Sequence, residues 1–179
     1  DRQALEKFTN WISSRLSDRI SVMFTPWGEA LIHRYYQNAI ATLSHLSHLE
    51  KVVIQTNLSC RLNWLNQCHT PRIALWCSFH PGQVERDTFL DKCLELGRRG
   101  IRFSVGAVAV KEHKEPIQTL RRQLPKHIYF WLNAYKHGPD YYTEDDMYFF
   151  ESIDPFFRMN TKVYASQGRA CRCGESVIS

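Results

Sequence analysis

The sequence predicts an α/β fold in which a parallel sheet is assembled from successive βα units. Strand-like runs begin near residues 19, 51, 72, 101 and 127, and a helix-periodic stretch follows each of them. That gives one unit per roughly 20–35 residues, the length a crossover connection requires. Alternating β and α elements imply parallel strands under a helical cover, joined by right-handed crossovers. The sheet is either open and doubly wound or part of a barrel. No linker interrupts the alternation, so residues 1–179 read as one domain.

Each element has its own signal. Residues 4–16 read as an amphipathic helix with Leu5, Phe8, Ile12 and Leu16 on one face. A strand at 19–25 stops at Thr25-Pro26, and a helix over 29–46 carries Ile32, Tyr36, Ala39, Ile40 and Leu43. The β-branched run "KVVIQTNLS" gives a strand at 51–57, and a short helix follows at about 60–67. "RIALWCSFH" is a strand at 72–80, closed by Pro81-Gly82; the helix at 84–98 has Gly100 as its C-terminal stop. A strand at 101–110, a helix at 116–124 opened by Pro116, and an aromatic-rich strand at 127–135 continue the series. Thr143 and Asp146 have the spacing of a capping box for a helix at 143–153. Residues 156–179 read as an irregular C-terminal extension in which "SVIS" starts one more strand.

Composition narrows the class. A chain of 179 residues, 44% hydrophobic and 13% aromatic, buries a sizeable core. No apolar run approaches the about 18 residues of a membrane span, and the charged start DRQALEKFTNW has no signal-peptide character. A cytoplasmic protein without membrane contact is expected. The net charge of +5 is scattered, and pairs such as Arg98-Arg99 and Arg121-Arg122 fit solvated helix faces better than a nucleic-acid patch. The cysteines at 60, 68, 77, 93, 171 and 173 contain no C-x-x-C pair, and the spacing of Cys171 and Cys173 is poor for zinc.

The strands turn polar at their C-terminal ends. Gln55 and Asn57 share one face of the second strand, Ser78 and His80 one face of the third, Ser104 lies on the fourth, and Asn133 and Tyr135 end the fifth. Thr25 and Glu29 flank the first corner. Hydrogen-bonding groups cost free energy when buried unpaired, and in parallel α/β folds this end of the sheet is where ligands bind. A polar pocket is therefore expected there. At the corner "FTPWGEAL", Gly28 allows a positive φ or a close approach of the backbone to a ligand, and Glu29 suits a cationic amine. Structural roles compete with these. Asn57 also reads as the cap of a turn, His80 as a loop histidine, and Glu29 with His33 as a surface i,i+4 pair. Trp27 and Trp76 read as packing residues, and Cys77 and Cys93 as small buried hydrophobes. Cys60 follows the Asn57 corner near the expected pocket.

These segments resemble the radical S-adenosylmethionine (radical SAM) superfamily. "TPWGEAL" after a strand resembles that family's GGE-type corner, and "IQTNL" resembles its Thr-Asn turn. The succession "VMFTPWGEAL", "VVIQTNLSCRL", "ALWCSFHPGQV", "RFSVGAVAV", "YFWLNAY" and "GRACRCGESVIS" is similar to a bacterial subfamily over nearly the whole chain. The resemblance implies a partial (β/α)6 TIM-like barrel. It implies that Gly28 and Glu29 contact the methionine amine of SAM, and that Thr56 and Asn57 line the next part of the pocket. Ser78 and His80 would approach ribose or substrate, and Asn133 and Tyr135 adenine or substrate. The family's CxxxCxxC loop, whose thiolates hold a 4Fe-4S cluster, is absent, so the chain reads as a fragment whose cluster cysteines lie upstream of Asp1. The resemblance further implies reductive cleavage of SAM to a 5′-deoxyadenosyl radical that acts on an unknown substrate, in the intact protein rather than in the fragment alone.

Two other readings stand beside it. One is a metal-dependent or acid–base α/β-barrel enzyme without SAM that uses Glu29, His80 and His33. The other is a non-catalytic binding module. With its first strand missing, the barrel would leave an open edge beside the strand at 19–25, where self-association is expected.

Overall fold

The computed structural model describes residues 1–138, 140–163, 165 and 168. Its strands are β1 (Ile20–Phe24), β2 (Leu49–Thr56), β3 (Ile73–Phe79), β4 (Arg102–Ala109) and β5 (Phe130–Ala134). The helices are α1 (Arg2–Ser13), α2 (Arg34–His45), α3 (Arg86–Arg98), α4 (Lys114–Gln123), α5 (Glu144–Glu151) and α6 (Phe157–Asn160). All neighbouring strands are parallel and lie in the order β1-β2-β3-β4-β5. A doubly wound sheet reverses its strand order partway. Here the order never reverses, and the sheet curls into a half-barrel of βα units, which settles the alternative left open by periodicity.

Period-two alternation divides the sheet into two faces. Ile54, Leu75, Cys77, Val105, Ala107, Phe130 and Leu132 lie on the helix side, together with Ile40 and Leu43 of α2, Phe89 and Leu96 of α3, and Ile117 and Leu120 of α4; none is more than 2% exposed. These side chains form one core. Burying each large one contributes roughly 1.5–3 kcal/mol. The concave face carries the alternate residues, among them Gln55, Trp76, Ser78, Gly106 and Trp131. Trp131 lies directly over Gly106, its register partner on β4, and a Cβ there would sit 2.0 Å from the indole. The same indole meets Trp76 edge-on at a centroid distance of 5.0 Å.

Helix ends follow their sequence signals in two places. Thr143 and Asp146 form the reciprocal capping box of α5. After α3, Gly100 takes φ +68, its N–H donates to the Gly97 carbonyl, and the Ile101 N–H donates to the Leu96 carbonyl, the bonding pattern of a Schellman stop. Asp146 also receives ion pairs from Lys111 and Lys114. Burial alone would raise its pKa, but the Lys114 ammonium, Thr143 and Lys111 outweigh this and hold the carboxyl well below the usual range.

Several boundaries differ from expectation. The helix read over 29–46 is a 3-10 turn (Ala30–Ile32), an extended His33 and then α2. The Glu29 side chain accepts from the Leu31 N–H and caps the start of this turn, and the extended backbone of His33 ends it. Ile32 therefore falls outside the apolar stripe and is 59% exposed. The helix at 60–67 is a 3-10 turn over Asn63–Gln67. The first helix stops at Ser13, leaving Leu16 exposed. Pro116 is the third residue of α4 rather than the first, still in the turn whose N–H groups have no intrahelical acceptor. The stretch from 156 holds the short helix α6, while the strand read at "SVIS", Cys171 and Cys173 lie outside the described residues. No helix among the described residues is long and apolar enough to cross a membrane.

The two sheet edges are treated differently. On β5, the outward N–H of Leu132 donates to Asp154 Oδ2 at 2.8 Å, and that of Ala134 to Asn160 Oδ1 at 2.9 Å. Side chains thus occupy backbone donors that another strand would need. On β1, β2 is the only paired strand among the described residues.

The contact at Gly106 gives a direct test. Gly106→Ala is expected to lower stability by about 1–3 kcal/mol in urea unfolding, the cost of overpacking. In a Trp131→Ala background the same change is expected to cost almost nothing. An equal cost in both backgrounds would remove the indole as its cause.

Candidate functional site

A cavity of about 290 Å³ opens at the C-terminal ends of β1, β2 and β3. Pro26, Gly28, Glu29, Gln55, Thr56, Asn57, Ser78, His80 and Gln83 line it. Six of the eight residues expected at a ligand site are thus brought together. Gly28 has φ +71, one of the two uses of a glycine considered for this corner.

Glu29 organises this rim. Its Oε1 accepts from the Leu31 N–H at 2.9 Å, and its Oε2 accepts from the Thr56 hydroxyl at 2.8 Å and the Asn57 N–H at 2.6 Å. A carboxylate offers about four acceptor positions, so one remains for a ligand. The next two backbone donors are also taken: Leu58 N–H by Thr56 Oγ1 at 3.0 Å, and Ser59 N–H by Asn57 Oδ1 at 2.9 Å. Asn57 therefore caps a turn and lines the cavity at the same time. Leu58 adopts φ 60 while fully buried. From α3, the Lys92 ammonium donates to the carbonyls of Leu58 at 2.5 Å and Cys60 at 3.0 Å, holding the turn from behind.

The third strand supplies the remaining polar groups. Gln55 Nε2 donates to Ser78 Oγ at 3.1 Å, which leaves the Ser78 hydroxyl proton available. Burial lowers the pKa of His80, so its imidazole is neutral at pH 7 and offers one donor and one acceptor. The Cys60 thiol is pushed up to about 11, first by burial and then by the Glu29 charge, and stays protonated.

The other expected site residues lie elsewhere. Asn133 and Ser104 line a different cavity, of about 570 Å³, with Trp76, Tyr129, Trp131, Phe156 and Met159. Tyr135 stacks on His137 at 5.4 Å and receives the Tyr141 ring edge-on at 5.1 Å; it does not line the first cavity. A single mouth fed by all five strands is therefore replaced by two clefts on one sheet. Glu29 and His33 do not share a helix, because the 3-10 turn and the extended His33 intervene; His33 stacks on Tyr35 instead. No group of three or more His, Cys, Asp or Glu side chains suited to a metal occurs among the described residues. Trp27, expected to pack, is fully exposed next to Gly28. Gln83 and Lys92 carried no sequence signal, since each acts on a segment distant along the chain.

Removing the Glu29 charge should disturb this rim specifically. A glutamine must turn its NH₂ either toward Leu31 N–H or toward the Thr56–Asn57 donors, and all three are donors. Glu29→Gln is expected to cost about 1–3 kcal/mol and to speed hydrogen exchange at Asn57. Unchanged stability and exchange would show that the three bonds do not hold the corner. Comparison with family models, curated proteins and solved structures finds no match to this chain.

Proposed function

We propose that the chain is the S-adenosylmethionine-holding part of a radical SAM iron–sulfur enzyme whose substrate is unknown. The observation that supports this most is the convergence of Gly28, Glu29, Thr56, Asn57, Ser78 and His80 on one cavity, in the strand order the resemblance implies. The chemistry of the groups suits the ligand. The open acceptor position of Glu29 would take the cationic amine. The Ser78 hydroxyl and the neutral His80 would meet the ribose hydroxyls. Asn133, in the neighbouring cleft, would face adenine or substrate. Bound SAM supplies a radical precursor; the part of this chain is to orient it and exclude water.

The described residues do not fit an iron–sulfur cluster. Soft thiolates are needed, yet burial raises the thiols of Cys60 and Cys68 to about 11 and that of Cys93 to about 12, and pushes Cys77 well above its ordinary value. They also form no group of three.

Amide NMR of the chain with millimolar SAM tests the reading. Shifts at Gly28, Asn57 and Ser59 are expected, with binding weakened at least fivefold by Ser78→Ala and His80→Ala. An unshifted rim, or shifts elsewhere, would overturn it.

The edge of β1 that has no strand partner among the described residues supports self-association as a partner relation. Sedimentation is expected to show concentration-dependent association, weakened by Met23→Lys, because a charge on the exposed Met23 position opposes strand addition. A monomer at every concentration would count against it.

A further inference from the structure

The cavity on β4 and β5, of about 570 Å³, has mostly aromatic walls. Trp76, Tyr129, Trp131 and Phe156 line it, together with Met159. The two indoles are fixed in place. Three ring atoms of Trp131 lie 2.0 to 2.4 Å from where a Cβ on Gly106 would stand, so the ring rests face-down on the β4 backbone. Trp76 meets it at an interplanar angle of 79°, which gives the cleft a corner of two perpendicular rings. Tyr129, Phe156 and Met159 border the same space while remaining exposed, so apolar surface that the fold leaves uncovered gathers here.

The polar groups of this cleft divide into engaged and free ones. Asp154 is the one charged residue on its lining, and it is buried. Its Oδ1 accepts from the Tyr129 hydroxyl at 3.1 Å and the Phe156 N–H at 3.0 Å, and its Oδ2 from the Leu132 N–H at 2.8 Å. An anion finds no cation on the lining, and a cation meets only this buried carboxylate, which already accepts three hydrogen bonds. The Ser104 hydroxyl and the Asn133 amide, by contrast, form no side-chain hydrogen bond among the described residues. The Asn133 amide offers a donor and an acceptor side by side.

We propose that this cleft binds a neutral aromatic ring that carries a donor and an acceptor side by side, as a carboxamide does. Apolar walls with a few placed polar groups are the usual form of a small-molecule site of this size. A flat ring finds offset or edge contacts with the indoles and the other aromatic walls, and a sulfur contact from Met159. Its polar edge pairs with the Asn133 amide. The Trp76–Trp131 pair stands between this cleft and the first cavity, so the ring and SAM are held apart. That the ring belongs to the substrate rests on the SAM reading above; that the cleft takes such a ring does not.

Benzamide provides the probe, being neutral and flat with one carboxamide. In ¹⁵N–¹H NMR the Trp131 indole signal, assigned through Trp131→Phe, and the Asn133 side-chain amide are expected to shift saturably with millimolar benzamide. Cyclohexanecarboxamide keeps the amide without the flat ring, and benzoate keeps the ring but adds a charge; each is expected to bind at least fivefold more weakly. Asn133→Ala, at an exposed position that leaves the core intact, is expected to weaken benzamide to the same degree. Four results would overturn the proposal: no saturable shift, equal binding of either control, unchanged binding in Asn133→Ala, or the same shifts on raising protein concentration alone, the mark of an interface between copies. Displacement of benzamide by adenosine would overturn the assignment to the substrate and give the cleft to the adenine of SAM. Failure of SAM to shift the rim of the first cavity removes the SAM reading and leaves the ring site standing.

Discussion

One carboxylate ties together the ends of β1 and β2. Glu29 lies just after the first strand, yet two of its three hydrogen bonds go to the end of the second, at Thr56 and Asn57. Bonds to a charged acceptor are stronger than neutral ones, and partial burial strengthens them further. The turn that follows depends on them. A left-handed conformation costs an ordinary residue about 1–2 kcal/mol, and Leu58 adopts it while fully buried. The Thr56 hydroxyl in front, the Lys92 ammonium behind and the core around its side chain offset that cost. Without Glu29 the Thr56 hydroxyl loses its acceptor, and the anchor of Leu58 loosens with it.

The rest of the cleft follows from the way the sheet is wound. Because strand order never reverses, every crossover helix covers the same face, and the concave face is left to other groups. In a closed barrel, layers of inward side chains fill that space. In this half-barrel Trp131 takes up part of the role, lying across Gly106 and meeting Trp76. That aromatic pair separates the polar cleft of β1–β3 from the cleft of β4–β5. Curl and bulk together explain why groups of the same strand parity do not share one mouth.

The βα alternation was legible because each strand carries a dense β-branched or aromatic run, and each of α2, α3 and α4 an apolar stripe. Gly100 and the Thr143–Asp146 pair were legible because capping is a local interaction. The break at Ile32–His33 was not, because the apolar stripe runs on through it while Glu29 is drawn to partners on β2. Asn57 was read both as a cap and as a pocket residue, and the structure uses it as both. Asn133 and Tyr135 were carried to the site by their place at a strand end and by the resemblance, neither of which registers the direction in which the sheet curves. Arg34 and Arg61, which line another cavity beyond the 57–60 segment, gave no signal, since their proximity requires α2 to meet the turn after β2.

The 57–60 segment is a wall common to two cavities, with Asn57 facing one and Cys60 the other. Its backbone donors and carbonyls are largely satisfied within the protein by Glu29, Thr56, Asn57 and Lys92. A ligand on either side therefore meets a surface that needs little ordering, which removes one cost of binding. It must draw on the groups still free: a carboxylate position, a hydroxyl and a neutral imidazole on one side, and two guanidiniums on the other. The first set carries a negative charge and the second two positive ones. Four residues of chain thus divide two cavities of opposite charge, and the half-buried Lys92 that fixes them spends its own charge on two carbonyls.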